Sequence, residues 1–149
     1  MSSTALKRHA TALLSGARYG VLGTRSAEEE GFPYGSVAPF CLDEAGCPVI
    51  LISELAQHSR NIAADPRVSL TVLEDWAAEK VQEVSRLCLL GRADREVTQG
   101  GRGRYLERFP EAGEFLQLDF VFHRIVPHRV HFIEGFGRVR WLEPEDLRS

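Results

Sequence analysis

Apolar residues in this chain come in short runs, several of them alternating with polar residues. VSLTVL at Val68 to Leu73, RLCLLGR at Arg86 to Arg92 and DFVFHRIV at Asp119 to Val126 carry apolar side chains at every second position over part or all of their length. A period of two puts successive side chains on opposite faces of a sheet, and enrichment in Val, Leu, Ile and Phe suits a half-buried strand. With YGVLGT at Tyr19 to Thr24, Tyr34 to Leu42, Pro48 to Ile52 and RVHFI at Arg129 to Ile133, the reading gives six or seven short strands. The expected class is mainly β with peripheral helices, an antiparallel barrel or sandwich and not a βαβ array.

The connections follow from turn and helix signals. Ala5 to Leu14 repeats apolar residues at helical spacing, and RSAEEEGFP reads as an exposed loop. DEAG at Asp43 to Gly46 is turn chemistry, so Tyr34 to Ile52 is expected to be one hairpin. Ser59 is expected to cap a short helix running to Ala64, which Asp65-Pro66 closes. Asp75 to Val84 reads as an irregular or helical excursion, Gln99 to Gly103 as a Gly-rich turn and Arg104 to Phe109 as a helical turn before Pro110. Pro127-His128 is expected to break Asp119 to Val126 from Arg129 to Ile133, leaving a strand pair.

A chain of 149 residues fits one domain and buries about 70% of its unfolded surface without metal or disulfide staples. Its net charge of −3 lacks the basic field of a nucleic-acid-binding protein. No run of apolar residues is long enough for a spanning helix, and the N-terminal stretch lacks a signal-peptide core. Cys41, Cys47 and Cys88 are an odd number without CxxC spacing, so three reduced thiols in a cytoplasmic protein are expected.

Chemistry concentrates at LISELAQHSRN, Leu51 to Asn61, where a strand ends just before a helix. A helix N-terminus carries unpaired N–H groups and the positive end of the macrodipole, and Ser53, His58, Ser59, Arg60 and Asn61 surround it with further donors. Such a cluster suits a phosphate ester. P-loop, dinucleotide and G-x-S-x-G signatures are absent. His123, His128 and His131 have no Asp, Glu or Cys at ligand spacing, so no metal centre is expected from them.

The order of motifs points further. PYGSVAPFCLDEAGCPVILISELAQHSRNIAADPRVSL from Pro33 to Leu70, RLCLLGRAD from Arg86, RYLERFP from Arg104 and LDFVFHRIVPHRVHFIEGFGRVRWL from Leu118 together resemble the pyridoxamine 5′-phosphate oxidase-like FMN-binding split-barrel superfamily. Within it they are most similar to the haem-utilisation (HugZ-type) branch. The resemblance implies a six-stranded antiparallel split β-barrel that forms a homodimer and holds FMN in clefts between subunits. It implies that Ser53, His58, Ser59 and Asn61 hold the FMN phosphate with Arg60 nearby. It further implies that Ser36, Val37, Ala38 and Pro39, with Phe40, wall the flavin, and that Trp141 reaches it from the other subunit.

The function so implied is an FMN-dependent oxidoreductase acting on an unassigned small molecule. One alternative is a haem-binding protein using the same cleft, with His123, His128 or His131 approaching iron; another is a flavin-binding module without turnover. WLEPEDLRS lacks the substrate-binding Arg ending of pyridoxamine phosphate oxidases, and an end at Ser149 precedes the extension that supplies haem contacts in longer relatives. Neither vitamin B6 oxidation nor haem degradation is therefore carried over.

Overall fold

The computed structural model describes residues 3–135 and 137–147; Phe136 of the GFG segment, and Arg148 and Ser149, lie outside them. Helix α1 (Ser3–Gly16) is followed by strands β1 (Tyr19–Arg25), β2 (Pro33–Pro39), β3 (Cys41–Leu42) and β4 (Pro48–Ser53). Helix α2 (Gln57–Ala64), β5 (Arg67–Leu73), β6 (Arg86–Asp94), α3 (Gln99–Arg108), β7 (Phe120–Glu134) and β8 (Arg138–Leu142) complete the order. All strand pairs are antiparallel, in the order β2-β1-β5-β6-β7-β4-β3, with β8 also on β7. The sheet curls into a split barrel whose open seam lies between edge strands β2 and β3–β4. Among the described residues eight strands form where the alternation predicted six or seven and the resemblance six; the two-residue β3 and the five-residue β8 extend the six longer ones.

Register explains the core. Leu22, Leu70, Leu89, Val130 and Leu142 are consecutive partners across β1, β5, β6, β7 and β8. Each is at most 1% exposed. The alternation read in the sequence therefore points one residue set of every strand into a common interior, where α1 adds Leu6, Ala10, Leu13 and Leu14. A second cluster lies outside the barrel beneath α3, built from Leu51, Tyr105, Phe109 and Phe122 among others.

Several connections depart from expectation. Tyr34 to Ile52 is not one hairpin: β2 pairs with β1, and only the short β3 pairs with β4. Pro39 supplies no N–H, and buried Phe40 turns the chain from one sheet edge to the other, its N–H donating to the Arg18 carbonyl at 3.0 Å. The loop RSAEEEGFP is thus the hairpin connection, held by the Ser26 N–H on the Phe32 carbonyl at 2.7 Å.

Pro127-His128 does not break the last long strand either. β7 runs unbroken through both, because a register shift opposite Leu90 and Gly91 places Pro127 where the ladder is already irregular. Gln99 to Gly103 is helical, not a turn, since the Thr98 hydroxyl caps α3 by accepting from the Gly101 N–H at 2.9 Å. Among the described residues Cys41, Cys47 and Cys88 form no disulfide. Among the described residues no helix is long and apolar enough to cross a membrane.

Candidate functional site

Two regions hold the residues that the sequence singled out. The first is the start of α2. Ser59 is not the cap: the helix begins at Gln57, its cap position is Ala56, and no side chain caps it. The reason is local, because the Ser59 hydroxyl donates to the Ser53 carbonyl inside the preceding turn. The Ser53 hydroxyl donates to Asp119 at 2.6 Å, which holds that carboxyl below the usual carboxylate range. Arg60 turns back onto the Leu55 carbonyl at 2.9 Å and Gln57 at 2.8 Å.

Asn61 faces the interior and is 0% exposed. Its carbonyl oxygen accepts from the Ala27 N–H at 2.9 Å and from Gln57 at 2.8 Å, and its amide donates to Thr24 at 2.9 Å. His58 is hydrogen-bonded through Nδ1 to the Ser36 hydroxyl at 2.9 Å, tying α2 to edge strand β2, and burial lowers its pKa. The five side chains proposed as phosphate donors are thus gathered in one place, each with a partner inside the chain. Asp119 adds negative charge beside them. The adjoining cleft of about 180 Å³, lined by Ser59, Ala63, Arg95 and His123, is below the roughly 300 Å³ at which drug-sized ligand pockets begin.

The second region is the outer face of the sheet. Val37, Val21, Thr71, Cys88, His131 and Trp141 are consecutive partners across β2, β1, β5, β6, β7 and β8. None is buried, and Trp141 is 45% exposed. The His131 ring lies 4.5 Å from the indole of Trp141, with the Arg129 guanidinium 4.7 Å over the same indole and paired to Glu143 at 3.1 Å. Among the described residues no hydrogen bond claims either nitrogen of His131. His123, by contrast, is 4% exposed, its Nδ1 reaches the Val121 carbonyl at 3.3 Å, and burial lowers its pKa. His128 is exposed at the charged end of the same face.

Of the expected flavin wall, Ser36 and Ala38 sit on the inner side of β2, next to Leu22 and Gly20, while Val37 and Pro39 face outward. Trp141 lies on the outer face, away from the α2 cluster.

The family model described as pyridoxamine 5′-phosphate oxidase matches residues 6–134. The chain belongs to that family. Among its relatives, the chloroplastic heme oxygenase HOZ of Arabidopsis thaliana is 32% identical over 126 residues, 83% of this chain and 38% of its own length. Heme oxygenase HutZ of Vibrio cholerae is 31% identical over 130 residues, 82% of this chain and 73% of its own. A solved heme binding protein from Mycobacterium smegmatis superposes with a TM-score of 0.85 at 26% identity, covering 99% of this chain and 60% of that one. The chain thus spans well under half of the plant relative.

Sequence reasoning found the histidines and the indole of this oxidase-family chain but not their neighbourhood. Thr71, Cys88 and Arg129 were missed because only the register, continued through Pro127, sets them beside His131 and Trp141. Alternation within each strand was the available signal; it does not fix which residues of separate strands meet.

Proposed function

We propose that this chain is a haem-binding protein of the heme oxygenase kind, with haem on the outer sheet face and His131 as the group that approaches iron. The observation carrying this reading is the His131 ring, half-exposed and free at both nitrogens in a row of uncharged residues. Haem iron takes a neutral imidazole with an available lone pair, and a porphyrin needs a broad apolar surface. His9, His58 and His123 already have hydrogen-bond partners, and His128 lies among arginines. The names of the two relatives about one-third identical support the same ligand.

Bound haem would supply the redox and dioxygen chemistry of its iron. The chain's part is to bind and orient. Packing against Trp141 limits rotation of the His131 ring, and Arg129, held by Glu143, keeps the indole in place. A second copy laid over this uncharged row of the outer face would exclude water from the imidazole, so we propose a homodimer with the ligand at the interface. Thr71 is near the middle of that row. Thr71→Arg is expected to give monomer in sedimentation, because an unpaired charge cannot be buried cheaply. A variant still dimeric at wild-type concentrations would remove this face from the interface.

The haem assignment is tested by titrating haemin into the purified chain. A Soret band is expected, lost or shifted in His131→Ala and retained in His123→Ala and His128→Ala. An unchanged spectrum and affinity in His131→Ala would overturn the assignment.

One observation favours FMN as a second reading: α2 has no side-chain cap, and among the described residues no hydrogen bond claims the Gln57 and His58 N–H groups, which leaves these two open to an anion. On that reading Ser53, His58, Ser59, Arg60 and Asn61 rearrange around the phosphate, Ser36 to Pro39 flank the ring, and Trp141 comes from the other subunit. Flavin fluorescence released on denaturation would favour it over haem. Turnover with a nicotinamide donor would then separate an oxidoreductase from a flavin-binding module.

A further inference from the structure

The β-bulge in β6–β7 builds a second site that the haem reading does not use. Leu90 is opposite Arg129 and Gly91 opposite Pro127, so His128 is the extra residue, aimed outward by the bulge. Gly91 is required at this point: a Cβ there would lie 2.6 Å from the Val126 carbonyl oxygen and 2.8 Å from Ile125 Cγ2. Alongside the bulge runs a groove of about 340 Å³ lined by Arg67, Val68, Leu90, Arg92 and His128.

Charge in the groove is unbalanced. Arg67 and Arg92 are direct cross-strand partners, an arrangement of like charges that is unfavourable unless an anion intervenes. Asp65 serves only one side. It takes both Nε and Nη2 of Arg67, at 3.0 and 2.7 Å, and also lies 4.0 Å from Arg25. Among the described residues Arg92 and His128 have no hydrogen bond or carboxylate partner. The site thus offers a free guanidinium fork and an imidazole above an apolar floor, beside a second fork that already holds a carboxylate in two-point geometry.

We propose that this groove binds a small amphiphilic carboxylate, its anion on Arg92 and His128 and its apolar body on Val68 and Leu90. The cavity volume suits one ring system or a short branched chain, near the lower limit of small-ligand pockets. His131 and Trp141 lie elsewhere on the face, so the site stands or falls apart from haem binding.

The test uses 1-naphthoate and its uncharged counterpart 1-naphthalenemethanol, titrated into the full chain and followed by amide NMR shifts. Naphthoate is expected to move the amides of Ser69, Gly91 and His128, and to bind about tenfold or more tightly than the alcohol. Arg92→Gln should remove that preference, leaving binding of the alcohol unchanged. His128→Gln provides the same comparison if Arg92→Gln does not fold. Equal affinity for acid and alcohol, shifts confined to other residues, or an unaltered preference in a folded variant would overturn the proposal.

Discussion

Two rows of residues, one position apart on the same strands, meet opposite fates. Leu22, Leu70, Leu89, Val130 and Leu142 close into the interior, while Val21, Thr71, Cys88, His131 and Trp141 stay on the outer face. Both rows are set by one register, so nothing in backbone pairing distinguishes them. What differs is side-chain chemistry. The inner row is wholly aliphatic, and the outer one mixes small, polar and aromatic groups that carry no charge yet retain reactive nitrogen and sulfur. The pleat thus separates the residues that make the fold from those that can meet a ligand, with a single peptide unit between them.

The comparison is broken most directly at β6. Leu89→Ala should destabilise the protein by about 2–5 kcal/mol, through lost burial and the cavity left behind. Cys88→Ala, one residue earlier and half-buried, should change stability by less than about 0.5 kcal/mol. Chemical denaturation of the two variants checks this. Similar losses would mean that the outer row is part of the core.

The polar cluster at α2 sharpens the contrast, because it behaves like the inner row despite its composition. Asn61→Ala leaves the Ala27 N–H, the Gln57 amide and the Thr24 hydroxyl without their shared partner. A loss of about 2–3 kcal/mol is expected, since buried donors left unpaired cost about 1–3 kcal/mol each and Gln57 can turn to water. A thermal midpoint equal to wild type would return Asn61 to the list of free ligand donors.

The smallest effect concerns α1, which covers the inner row. His9 bridges Glu134 at 2.6 Å and Glu74 at 2.9 Å. Burial opposes charge on the ring, but the hydrogen bonds and charges of the two carboxylates outweigh it, and the His9 pKa is raised. A raised folded value means that the stabilisation is complete below the unfolded value of about 6.5 and is lost as pH rises through the higher folded one. Thermal midpoints across that window should fall with pH more steeply in wild type than in His9→Gln. Parallel curves would show that the clasp contributes nothing.

Much of the fold was legible because alternation is a local signal. Tyr19 to Thr24, Val68 to Leu73 and Arg86 to Arg92 all became strands within a residue or two of the expected bounds. What failed depended on distant partners. Pro127 lies inside a strand only because the ladder opposite Gly91 is irregular. The glycines after Thr98 are helical because the Thr98 hydroxyl caps their helix, and Gly101 packs tightly against Asp43 in the distant turn before β4. At the candidate site, the clustering of Ser53, His58, Ser59, Arg60 and Asn61 was readable, but their internal partners were not. Asp119 reaches Ser53 from the turn just before β7, and Thr24 reaches Asn61 from β1.

The unbroken β7 also governs how the chain can acquire its shape. Phe120 to Arg124 pair with β4 and Val130 to Glu134 with β8, while β6 lines the stretch from Arg124 to Ile133. Val49 meets Arg124 only after most of the chain has been made, so on a ribosome β4 must wait, its sheet edge unpaired, until the residues near 124 emerge. Contacts so distant in sequence slow folding and prolong the life of open, aggregation-prone edges. A truncation ending before β7 should therefore accumulate as insoluble aggregate, β4 and β6 having lost the strand that joins them.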